Sequence, residues 1–172
     1  MLRPPEADPA CFGLVAADNI RVLILGTLPG SVSLARGEYY ANPSNQFWRL
    51  LEPLVGEDLV GKPYDSRLAA LLAAGIGLWD VIASAKRPGS LDSAIRDYRA
   101  NPLEAVVAGL PALRALAFNG GKAFQIGRRL GGHGDLTLLP LPSSSAAYCA
   151  MPFARKAEAW RELTRFLQRG QG

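Results

Sequence analysis

Residues 21–51, RVLILGTLPGSVSLARGEYYANPSNQFWRLL, run from an apolar segment into Gly-x-x-Pro-Gly, two adjacent tyrosines and Asn-Pro-Ser-Asn-Gln-Phe-Trp. Ile20 and the residues from Val22 to Leu25 favour β structure and show no polar alternation, the pattern of a strand buried on both faces. Gly26, Pro29 and Gly30 then stop it abruptly. Open α/β sheets place their ligands in loops of this kind, beyond the carboxyl ends of the strands.

Three further apolar runs lie downstream. IGLWDVI at 76–82 reads as a buried strand presenting Asp80, residues 113–118 end in Asn119-Gly120-Gly121, and residues 136–141 end in Pro142-Ser143-Ser144-Ser145. Helical patterns fill the intervals. Ser44 can cap a helix carrying Phe47, Trp48, Leu50, Leu51 and Leu54, closed by Pro53 and Gly56; a second helix spans 65–74. A short helical pattern occupies the polar stretch 90–100, Pro102 opens a helix bounded by Pro111, and 122–130 and 153–167 return to helical periodicity. Strands alternating with helices, without an internal repeat, predict an α/β fold: a three-layer α/β/α sandwich around a four-stranded parallel sheet. Right-handed crossovers would bring residues 26–30, Asp80, 119–121 and 142–145 to one edge of that sheet.

With 172 residues, 49% of them hydrophobic and 20% charged, residues 1–172 suit one globular domain, with 1–18 as an irregular proline-rich lead-in. Cys11 and Cys149 form no metal-binding spacing and suit a reducing compartment; with no basic leader or spanning apolar segment, a cytoplasmic location without membrane contact is expected. The formal charge of +4 and the sequence pI near 9.3 permit a polyanionic partner. Arg128, Arg129, Arg155, Lys156, Arg161, Arg165 and Arg169 concentrate positive charge toward the C-terminus.

Each loop has a structural and a chemical reading. Residues 26–30 are a tight turn or a set of exposed backbone donors. Tyr39 and Tyr40 are core aromatics, or stack on a planar ring with Asn42 and Asn45 bonding around it. Asp80 is a cap or an acceptor aimed into a pocket, and Asn119-Gly-Gly-Lys122 is a turn or an anion site at a helix start. The three serines are a solvated loop or phosphate contacts. Gly-x-Ser-x-Gly, Gly-x-Gly-x-x-Gly and the P-loop motif are absent, and His133, in Gly-Gly-His-Gly, suits a turn better than a general base.

In this order and spacing, Gly26-Thr-Leu-Pro-Gly30, Tyr39-Tyr-Ala-Asn-Pro-Ser-Asn-Gln-Phe-Trp48, Leu78-Trp-Asp80, Phe118-Asn-Gly120 and Leu141-Pro-Ser-Ser-Ser145 resemble the uracil-DNA glycosylase superfamily, and within it the hypoxanthine-DNA (deoxyinosine) glycosylases. The resemblance implies monofunctional cleavage of the N-glycosidic bond of a deaminated base flipped out of DNA, in base excision repair, by a monomer without metal or cofactor. It implies that Gly26, Thr27, Leu28, Pro29, Gly30, Tyr40, Asp80 and Asn119 hold the base. Tyr40 would stack on it, and Asp80 would stand where relatives read uracil with an asparagine. Lys122, Ser143, Ser144, Ser145 and Lys156 would contact DNA, with Tyr148 as a wedge.

Two catalysts of the superfamily are missing. Leu28 occupies the place of a water-activating Asp or Asn, and Leu141 that of a histidine that stabilises the leaving base. Asn42 and Asn45 remain as the catalytic candidates, to orient water or polarise the base, although Asn45 can also be a brace for the following helix. A mismatch-directed uracil or thymine glycosylase and a non-catalytic nucleic-acid-binding module are the alternatives.

Overall fold

The computed structural model describes residues 10–87 and 95–168. Its centre is a parallel sheet of β1 (Val22–Gly26), β2 (Ile76–Asp80), β5 (Ala115–Asn119) and β6 (Thr137–Leu141), in the spatial order β2-β1-β5-β6. Alternate residues of β1 enter opposite cores, as the period of two requires. Val22 and Ile24 pack with Phe47, Leu51, Leu71 and Trp160, whereas Leu23 and Leu25 pack with Phe118, Leu103 and Ile126. Thus α2 (Phe47–Val55), α3 (Tyr64–Ala73) and α6 (Phe153–Trp160) cover one face, and α4 (Leu103–Ala108) and α5 (Gly121–Leu130) the other. This is the expected three-layer sandwich with a four-stranded parallel sheet.

Register makes the sheet edge a site. Gly26 lies opposite Asp80, and Asn119 opposite Leu141. Four strands therefore end together, with their following loops on the same side.

Several expectations are corrected. The run 76–82 is not one strand: β2 ends at Asp80, and β3 (Ile82–Lys86) leaves to pair antiparallel with β4 (Arg96–Ala100). The break comes where Val81 N donates to Gly26 O at 2.8 Å and Ile82 N to Thr27 O, so the chain pairs with the first loop before diverging. Of the helical stretch expected at 90–100, residues 90–94 lie outside the described residues and 96–100 are strand, because cross-strand pairing overrides a weak local preference.

The lead-in is not irregular throughout. Val15 bridges to Leu78 at the outer edge of β2, Ala10 bridges to Ser84 in β3, and residues 1–9 lie outside the described residues. An unexpected helix, α1 (Ser31–Arg36), follows the first loop directly. Ser44 does not cap α2; Asn45 Oδ1 accepts from Phe47 N at 3.0 Å instead. Pro53 lies within α2, which ends at Gly56 with φ of 78°. The C-terminal helix divides into α6, a 3-10 turn at Arg161–Leu163 and α7 (Thr164–Leu167).

Gly127, inside α5, marks where α5 meets the sheet: a Cβ there would lie 2.1 Å from Phe118 Cε1, and Phe118 is fully buried. Helix propensity would reward alanine by about 1 kcal/mol, but overpacking costs about 1–3 kcal/mol and should win at this distance. Gly127→Ala is expected to lower the melting temperature by several degrees in thermal denaturation; an equal or higher value would refute this packing.

Candidate functional site

A cavity of about 470 Å³ opens at the carboxyl edge of the sheet. Its wall comes from residues 26–33, from Tyr39, Tyr40, Asn42 and Asn45, from Asp80 and Asn119, and from Ser143, Ser144, Ser145, Ala147 and Tyr148. Lys122 is exposed at the start of α5 and is not part of that wall. His133 sits in the turn before β6, likewise outside it.

Gly26 is the floor. A Cβ on it would come 2.8 Å from Asp80 Oδ1 and 2.9 Å from the Tyr40 hydroxyl, so only the absent side chain leaves room for both oxygens against this backbone. Asp80 is 3% exposed, and its backbone carbonyl accepts from Asn101 Nδ2 at 2.7 Å. Tyr40 has φ of 53°, an uncommon conformation for a bulky residue and one that functional sites retain when the surroundings hold it. Trp48 Nε1 donates to Tyr40 O at 3.1 Å and Ala41 N to Ser33 Oγ at 3.1 Å, clamping the backbone on both sides.

The Tyr40 ring stacks on Phe47, centroids 3.7 Å apart and planes at 15°. That stack takes one face of a ring that also lines the cavity. Tyr39 has the bland role: it is buried, donates to Gly13 O at 3.1 Å and ties the lead-in to the core. Burial, and secondarily the Asp80 carboxylate, raise the Tyr39 phenol above its ordinary range.

The opposite wall is a hydrogen-bonded block. Asn119 Nδ2 donates to Ser144 Oγ at 2.8 Å, Ser144 N donates to Asn119 Oδ1 at 2.9 Å, and Ser144 Oγ donates to Asn45 Oδ1 at 2.8 Å. Lys156 Nζ donates to Gln46 Oε1 at 3.0 Å and Ser145 O at 3.1 Å, while Trp160 Nε1 donates to Pro142 O at 2.9 Å. Ser144 and Lys156 are each 1% exposed, which corrects their expected role as phosphate ligands: their polar atoms are spent inside the protein. Burial pushes the Lys156 ammonium below the usual lysine range.

Ser143 and Ser145 are half-buried on the cavity wall, accepting from the backbone N–H groups of Ser145 and Ala147, and Tyr148 is 41% exposed beside them. Leu28 and Leu141 are both buried within hydrophobic clusters, and Pro29 has no N–H, so the backbone donors of the first loop are those of Thr27, Leu28 and Gly30.

The family described as the Uracil DNA glycosylase superfamily matches residues 12–164, which takes in every part of this cavity. The chain belongs to the uracil DNA glycosylase superfamily. It is 42% identical over 135 residues to a protein of Methanosarcina barkeri named Hypoxanthine DNA glycosylase, covering 78% of this chain and 85% of that one. A protein of Methanosarcina acetivorans with the same name is 40% identical over 154 residues, 90% of this chain and 96% of that one. The fold is similar to the solution NMR structure of a candidate uracil DNA glycosylase from Methanosarcina acetivorans, with a TM-score of 0.84 and 37% identity over 95% of this chain and all of that one.

In this superfamily member some supports escaped sequence reading. The guanidinium of Arg87, 7% exposed, donates to Pro29 O across 58 residues of chain, and Asn101, Ser33 and Gln46 anchor the floor and both walls. Nothing local marks Arg87; Phe47 was legible only as a core residue of α2, not as the backing of Tyr40. Among the described residues no group of three or more His, Cys, Asp or Glu is placed to hold a metal ion. No helix among them is long and apolar enough to cross a membrane.

Lys156→Ala removes the donor to two partly buried acceptors and is expected to cost about 1–3 kcal/mol, whereas Lys122→Ala at the exposed start of α5 should stay within about 0.5 kcal/mol of the parent. Urea unfolding of the two variants checks this; equal stabilities would remove Lys156 from the structural block.

Proposed function

We propose that this chain is a monofunctional DNA glycosylase that hydrolyses the N-glycosidic bond of hypoxanthine, with uracil or xanthine as secondary substrates, after the nucleotide is flipped out of DNA. The observation that carries this reading is that Tyr40, its ring stacked on Phe47, and the Asp80 carboxylate both stand against Gly26 in the cavity wall. A flipped base stacked on the Tyr40 ring would turn its edge toward Asp80. A carboxylate accepts from the N1–H of hypoxanthine and repels a carbonyl in the same place, which favours a purine lactam over uracil. The names of both curated relatives agree with that preference.

With Leu28 and Leu141 buried in the core, no strong base faces the cavity at either motif position. Asn42 and Asn45 are the catalytic candidates, and neither is basic enough to deprotonate water. The reaction then rests on the leaving group. As the glycosidic bond stretches, the sugar gains oxocarbenium character and the base gains negative charge, which N–H donors of the asparagines and of Thr27, Leu28 and Gly30 stabilise. Water captures the cation afterwards, and the product is an abasic site, the starting point of base excision repair. Ser143, Ser145 and Lys122 would meet phosphates, and Tyr148 at the rim would fill the space left in the helix.

Duplexes carrying inosine, uracil, xanthine or a thymine mismatch, treated with excess protein and then alkali, separate the readings. Strand cleavage at inosine in preference to the others is expected; preference for the thymine mismatch would indicate the mismatch enzyme, and tight binding without base release would leave only a binding module. Asp80→Asn should lower the inosine-to-uracil rate ratio by about tenfold or more, the size of one charge-assisted hydrogen bond. An unchanged ratio would remove Asp80 from base reading. Lys122→Ala should reduce the salt slope of DNA binding by about one, measured by titration at several salt concentrations; an unchanged slope would exclude that phosphate contact.

A further inference from the structure

Asn45 and Asn42 each have an amide whose two ends differ in chemistry, and backbone groups determine which end is which. Phe47 N is a donor with no alternative, so the Asn45 atom 3.0 Å from it is Oδ1. Ser144 N likewise can only donate, so the Asn119 atom facing it at 2.9 Å is Oδ1, and Asn119 Nδ2 faces Ser144 Oγ. The serine hydroxyl thus accepts from Asn119 and has its single proton left for Asn45 Oδ1, at 2.8 Å. Polarity runs one way, from Asn119 through Ser144 to Asn45.

Two bonds on Asn45 Oδ1 occupy both of its lone pairs. Asn42 Oδ1 is in the same condition, taken by Ser44 N at 3.0 Å and Ser44 Oγ at 2.9 Å. Both amides can therefore offer the cavity only Nδ2–H donors, a chemistry that suits a base gaining negative charge and not the capture of a proton from water. Ser144 is 1% exposed and Asn119 8%, so this wiring is shielded from exchange with solvent.

We propose that Ser144 is a positioning residue that, directed by Asn119, locks Asn45 as a hydrogen-bond donor to the departing base. This rests on the glycosylase reading of the cavity. Without the serine proton, Asn45 Oδ1 is held by Phe47 N alone, and its freed lone pair is an acceptor that draws the amide and nearby water away from the donor arrangement.

Single-turnover release of hypoxanthine is measured for the wild type, Ser144→Ala, Asn45→Ala and the double variant, with DNA affinity and melting temperature alongside. Release by the wild type tests the glycosylase reading itself; the cycle tests the relay. Ser144→Ala should slow release by about 10- to 100-fold with affinity within about threefold, and should cost less than about twofold further in the Asn45→Ala background, since residues acting as one unit are non-additive. Independent, multiplicative losses would overturn the relay, because a merely structural serine would slow both backgrounds alike.

Asn45→Asp gives a second readout if Ser144→Ala unfolds. The carboxylate keeps both accepted bonds and has no donor, so release should fall at neutral pH and recover toward acid as the carboxyl gains a proton to donate. Release that rises with pH instead would mean that the position works as an acceptor or base, and would overturn the proposal.

Discussion

Backbone hydrogen bonding between parallel strands brings Gly26, Asp80, Asn119 and Leu141 to the same edge, and the site depends on that alignment. A slip of one residue between β1 and β2 would move Asp80 to the other face of its strand and turn a buried core residue outward. The register is held because both faces of β1 and β2 are fully buried, so every alternative exposes apolar surface. Rigid strand ends then carry loops that need not be rigid themselves, and residues 50 to 100 apart in sequence meet within hydrogen-bonding distance.

What the loops add is an unusual distribution of polar groups. One wall combines a carboxylate with a phenol over a residue without a side chain; the other is a buried chain of amides and a hydroxyl whose donors and acceptors are matched. Burying such groups is costly unless they are paired, so a satisfied network is also a stiff one. That stiffness suits the proposed mechanism, in which neither motif position supplies a base. Where the chemistry leans on charge stabilisation, donors must already be in place when charge develops on the leaving group, and reorientation during the reaction would forfeit the gain.

The parallel sheet and the meeting of its loops were legible because apolar runs ending in Gly26, Asp80, Asn119 and Pro142 are a local signal with a topological consequence. The antiparallel hairpin of β3 and β4 was not: IGLWDVI reads as one strand, since a change of hydrogen-bonding partner at Val81 leaves no mark on hydropathy. In the site, Asp80 stood out as a carboxylate ending an apolar run, and Tyr40 as one of two adjacent tyrosines in a polar loop. Ser144 and Lys156 looked like solvated DNA contacts because composition does not reveal burial, and Arg87 was invisible because its acceptor is a backbone carbonyl 58 residues away.

The order of strands and helices, the residues at each strand end and the absence of side-chain bases at positions 28 and 141 follow from the sequence by itself, because hydrophobic period and turn residues act over short distances. Which polar groups face the cavity, which are consumed inside the protein, and which end of each asparagine amide is presented are decided only by the tertiary structure. The reason is physical: a hydrogen bond is assigned by two partners, and at Ser144 those partners come from α2's approach, the end of β5 and the loop after β6, segments that only folding brings together.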